Sequence, residues 1–155
     1  MGYSVIDLLE KCIQIENIKI KYLEDMIEKK RNETVIQIVC RVFSKDCLNT
    51  ITFYNDIKES IDSAEISEIN VMTYDKMSFL FNEFIKKIYI PDLDTPRKYL
   101  LYALDLAKDK HSLFVDIQGR LYNDSKEDNS VTYKVLTKLV KKSEDQIRSI
   151  ERTLL

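Results

Sequence analysis

Two glycines and two prolines in 155 residues leave this chain almost without the residues that punctuate regular backbone. Glycine supplies positive φ at turns and proline interrupts helices, so their scarcity favours long, uninterrupted helices. The length suits one domain with a real core, spanning residues 1–155, and is too short for two comfortable ones. Apolar residues make up 45% and charged residues 32%, the balance of a globular chain rather than a disordered one. Lys plus Arg (24) nearly cancels Asp plus Glu (26), leaving a net charge of −2. No basic run carries the interleaved aromatics of a nucleic-acid site, so nucleic acid is not an expected ligand.

The stretch "MGYSVIDLLEKC" meets acids at Asp7 and Glu10 before any long apolar run, so no secretory signal is expected. No apolar stretch approaches the ~18 residues of a membrane span, and a myristoylation start would need Ser or Thr where Ile6 stands. Neither a membrane partner nor a lipid anchor is therefore expected. The cysteines, Cys12, Cys40 and Cys47, are odd in number. Cys40 and Cys47 on one helix would lie about 10 Å apart, too far to bridge. They read as reduced, buried or half-buried thiols, and the expected location is cytoplasmic. There is no C-x-x-C pair to suggest structural zinc.

Hydrophobic periodicity gives four long amphipathic segments. The first runs from about Tyr3 to Lys30 and the second from about Glu33 to Ile61, with Asn32 a suitable N-cap. The third opens at "DTPRKY", where Thr95 can cap and Pro96 takes the first helical position, and runs to about Tyr122. "NDSKEDNS", the most turn-like stretch, separates it from a fourth segment that begins near Ser130. Short links predict two antiparallel hairpins, and the long connection between them carries "YDKMSFLFNEFIKKI", apolar at helical spacing through Met77, Leu80, Phe81, Phe84 and Ile88. The expected fold is all-α: a four-helix bundle of two hairpins joined by one long crossover with an extra short helix. Exposed Phe and Met residues on that crossover would make it a homodimer contact.

Every apolar stripe contains a polar residue near its middle. Glu16 falls between Cys12, Ile20, Leu23 and Ile27, and an isolated buried carboxylate costs several kcal/mol unless paired, protonated or metal-bound. In the second segment the stripe is Val35, Val39, Val42, Phe43, Phe53 and Ile57, with Asp46 central and Asn49 three residues later. In the third it is Leu100, Leu104, Ala107, Val115 and Tyr122, with His111 near the centre and Lys108 at the edge. In the fourth it is Leu136, Leu139, Ile147, Ile150 and Leu154, with Ser143 central and Gln146 three later.

With these residues in view, the chain resembles the rubrerythrin and ferritin-like group of di-iron carboxylate bundles. In that group two helices each give one Glu and two give a Glu-x-x-His pair. "IENIKIKYLEDM" is similar to the first ligand helix, with Glu16 followed six residues later by the aromatic Tyr22. "VFSKDCLNTI" stands where the first Glu-x-x-His belongs and reads Asp46-x-x-Asn49. "LAKDKHSLFVDI" resembles the third ligand helix, which places Lys108 at the Glu position and Phe114 at the aromatic. "LVKKSEDQIRSIE" reads Ser143-x-x-Gln146 at the second pair.

What the resemblance implies is a bundle whose metal site has degenerated. Only Glu16 keeps the expected ligand and Asp46 a shortened one, while amides, a serine and an ammonium bind iron or manganese poorly. The expectation is a binding or structural module, with no cofactor and no catalysis, in which Lys108 replaces the lost metal charge beside Glu16. Hydrogen bonds would come from Asn49, Ser143, Gln146 or His111. The alternative is a rubrerythrin-type oxidoreductase with an unusual iron or manganese site at Glu16, Asp46 and His111.

Overall fold

A computed structural model of the chain describes residues 2–125 and 130–155. These form five α-helices and no strand: α1 (Val5–Lys29), α2 (Thr34–Ser60), α3 (Val71–Lys87), α4 (Pro96–Ser125) and α5 (Val131–Leu154), with a 3-10 turn at Ser63–Glu65. The all-α expectation and the boundaries of the segments hold. The turn expected in "NDSKEDNS" lies mostly outside the described residues. No helix among those described is long and apolar enough to cross a membrane.

Short polar side chains start most of the helices by satisfying first-turn amides. Ser4 and Asp7 form a capping box on α1, Ser4 Oγ accepting from Ile6 N–H and Asp7 from Ser4 N–H at 2.8 Å. Asn70 caps α3, Ser130 caps α5, and Thr95 Oγ1 accepts from Lys98 N–H at 3.2 Å ahead of Pro96. The α2 start differs from expectation: its N-cap is Glu33, not Asn32, and no side chain caps it. The α1–α2 turn is tied instead by Gln37 Nε2, which donates to Ile27 O at 2.8 Å, and by Lys30, which pairs with both Glu33 and Asp92.

α1 packs along α2, and α4 along α5, as two hairpins. One core cluster joins the start of α1 (Val5, Leu8, Leu9) to the end of α2 (Tyr54, Ile57), to α3, to the later part of α4 (Leu113, Phe114, Ile117) and to the start of α5. A second joins the end of α1 (Leu23, Met26) to the start of α2 (Ile36, Cys40) and to Tyr99 at the start of α4. The chain therefore runs up, down, down, up through α1, α2, α4 and α5. The crossover needed for two successive parallel helices contains α3, whose Met77, Phe81, Phe84 and neighbouring Ile88 are buried by the rest of the chain. Tyr102 and Tyr99 pin its exit by accepting from Tyr89 N–H and Leu93 N–H.

Two stripes face differently from expectation. On α2 the buried side is Ile36, Cys40, Cys47, Thr50, Tyr54 and Ile57, while Val35 and Val42 are 60% and 61% exposed. On α4 it is Tyr99, Leu106, Lys110, Leu113, Phe114 and Ile117, while Val115 and Tyr122 are exposed. Both shifts are about one residue, a rotation of about 100°. Each helix is apolar over a wide arc, so a neighbouring row serves equally well, and packing selects it, against α1 for α2 and chiefly against α5 and α3 for α4.

Candidate functional site

The middle of α1 carries Glu16 into the core, where it is fully buried. Lys19, three residues on and therefore on the same helical face, places its Nζ 3.1 Å from Glu16 Oε1. From α4, Lys110 brings a second ammonium to 3.5 Å from Glu16 Oε2. Lys110 is itself only 2% exposed, and the Lys19 side chain 18%. Glu16 thus sits between two cations supplied by two helices. The second contact is Coulombic rather than a well-made hydrogen bond, and Oε2 is a buried oxygen without a hydrogen-bond partner among the described residues.

Burial and charge compete at each member. Burial pushes the Glu16 carboxyl up, but Lys110 and then Lys19 outweigh it, so its pKa lies below the ordinary carboxylate value. For Lys19, burial works against the charged form and Glu16 more than restores it, raising the pKa. For Lys110, burial dominates; the charge of Lys19 adds to it, Glu16 opposes both, and the pKa falls below that of a free lysine. Nearby Cys47 is pushed up to about 12 by burial, which leaves it a neutral thiol.

Two further polar pairs join the helices around this cluster. His111 of α4 lies 3.0 Å from Ser143 Oγ of α5, and Ser143 gives its only hydrogen to Val140 O at 2.7 Å, so His111 Nδ1 is the donor. Thr50 Oγ1 of α2 donates to Asp46 O and accepts from Gln146 Nε2 of α5 at 2.9 Å. A cavity of about 60 Å³ adjoins the cluster, lined by Lys19, Lys110, Asp46 and Gln146 and by apolar side chains that include Phe43 and Leu106.

The expected site residues divide accordingly. Glu16 and Ser143 are buried, while His111 and Gln146 are half-buried and hydrogen-bonded as described. Asp46 and Asn49 are exposed, Asp46 at the cavity rim. Lys108 is exposed and does not face the axis; the lysine paired with Glu16 across the helices is Lys110, because the buried arc of α4 is turned relative to the expected one. A di-iron centre does not fit these residues. Glu16 is already flanked by two ammonium groups that repel a divalent ion, and among the described residues no three His, Cys, Asp or Glu side chains converge on a common point.

Sequence reasoning missed Lys19, Thr50 and Lys110. The signal for Lys110 was present: Tyr99, Leu106, Lys110, Leu113 and Ile117 recur at seven, four, three and four residues, a stripe with one lysine in it. Lys19 stands at the i,i+3 position from Glu16, where a helical salt bridge is expected. No known protein family, curated protein or solved structure matches the chain.

Proposed function

We propose that this chain is a non-catalytic binding or structural module, a ferritin-like bundle in which lysine ammonium groups stand where its relatives hold a metal pair. The observation that carries the reading is the partner set of Glu16: Lys19 at 3.1 Å and Lys110 at 3.5 Å supply positive charge from inside the chain. Two hairpins joined by a long crossover are the connectivity of ferritin-like bundles and support the fold assignment. So does the central polar layer, to which α1 gives Glu16, α2 Thr50, α4 Lys110 and His111, and α5 Ser143 and Gln146. These groups are engaged largely with one another, which suits a scaffold better than a reaction centre.

Elemental analysis of protein purified without chelator tests the reading, together with melting curves in added Fe²⁺ or Mn²⁺. The expected result is less than about half an equivalent of metal and an unchanged melting temperature. Uptake above that level, lost on Glu16→Gln, would make Glu16 a metal ligand and overturn the reading.

A further inference from the structure

We propose that the cavity beside Lys19 and Lys110 binds the carboxylate of a small aliphatic monocarboxylic acid. The inference deepens the binding-module reading and rests on it.

The argument starts from unspent donors. An ammonium group carries three N–H bonds. Lys19 spends one on Glu16 at 3.1 Å, and Lys110 has only its long 3.5 Å contact to the same carboxylate. Both side chains line the cavity, and Lys110 as a residue is only 2% exposed, so its charge is largely withdrawn from bulk water. Charge points the same way. Two ammonium groups share one buried carboxylate; the 18% exposed Lys19 can turn to water, but Lys110 cannot, and a cation held there is costly until an anion joins it. Asp46 offsets that charge only in part, because it stands exposed at the rim where water screens it.

Size and lining narrow the ligand. About 60 Å³ accommodates a carboxylate and a carbon or two, well short of the ~150 Å³ cavity that holds benzene. The wall is largely apolar and comes almost wholly from helix interiors, whose backbone amides are already engaged, so no amide cradle is offered to a phosphate. Phe43, Asp46, Gln146 and Ile150 also line a second cleft of about 320 Å³ between α2 and α5. That shared wall gives an aliphatic chain a path outward once its headgroup is seated.

The test is titration calorimetry and thermal melting of the full chain with hexanoate, and with hexanamide as the uncharged isostere. Hexanoate is expected to bind one-to-one and raise the melting temperature, and hexanamide to do neither. Asp46→Asn, a surface change that leaves the core intact, is expected to tighten hexanoate binding roughly two- to fivefold by removing the rim charge. Lys110→Met is expected to weaken it at least about tenfold. No hexanoate binding up to about 10 mM, equal binding of the amide, or an Asp46→Asn variant with unchanged affinity would each overturn the proposal. If Lys110→Met does not fold, the amide and Asp46→Asn comparisons decide it. Metal uptake at Glu16 would overturn this proposal together with the module reading; absent hexanoate binding in a metal-free protein overturns this proposal alone.

Discussion

Glu16→Leu removes the counter-charge of two lysines and leaves Lys110, 2% exposed, with no carboxylate among the described residues at ion-pair distance. The buried amine then escapes its charge only by folding deprotonated. A free lysine holds its proton with a pKa of about 10.4, so giving it up at pH 7 costs about 1.36 kcal/mol for each of about 3.4 pH units, or about 4.6 kcal/mol. Part of that cost is already present in the wild type, where burial lowers the Lys110 pKa despite Glu16. Lys19 is less constrained, since an 18% exposed side chain can turn its head to water. The net expectation is a loss of about 3–4 kcal/mol at neutral pH, within the usual range for stranding one member of a buried pair.

The sign of the pH dependence separates this mechanism from simple loss of packing. With the folded-state pKa of Lys110 depressed, the unfolded chain binds the extra proton, so stability rises with pH up to about 10.4, by as much as ~1.4 kcal/mol per unit. Glu16→Leu should therefore gain more stability than the wild type between about pH 7 and pH 9.5. Urea unfolding followed by far-ultraviolet circular dichroism at both values measures it. Glu16→Leu combined with Lys110→Met should be far less costly than Glu16→Leu alone, because no buried cation is stranded across the helices. A Glu16→Leu loss below about 1 kcal/mol at neutral pH, or one of the same size at both pH values, would refute the charge argument.

Two shorter predictions address the packing. On α2, Val35→Lys should change stability by no more than about 0.5 kcal/mol, whereas Ile36→Lys, one residue along but 4% exposed, should cost several kcal/mol in the same urea assay. Cys12, Cys40 and Cys47 are buried free thiols, so a thiol reagent at about pH 8 should leave the native protein unmodified and label three groups per chain after unfolding.

Helix number, order and approximate ends were legible because few residues in this chain compete with helix, and because Thr95 ahead of Pro96 announces the start of α4 locally, whereas Asn32 was not the α2 cap. Glu16 was legible too, as a charge inside a clean stripe whose neighbours Cys12 and Leu23 are buried. Which arc of α2 and α4 faces inward was not. Val35, Ile38 and Val42 form as good an apolar row as Ile36, Cys40 and Cys47, and side-chain transfer energies alone do not choose between rows one residue apart. The choice is made by partners distant in sequence: α1 and α2 must close their hairpin over Tyr54 and Cys47, and α4 must offer Glu16 a cation. Lys108 and Lys110 are the same residue type on the same helix, so composition does not distinguish them. What selects Lys110 is that Tyr99, Leu106, Leu113 and Ile117 bury its arc, and a lysine on that arc needs a carboxylate as much as Glu16 needs a lysine. The two charges meet only when α1 and α4 take this relative rotation, so their pairing adds to the apolar packing that already favours it.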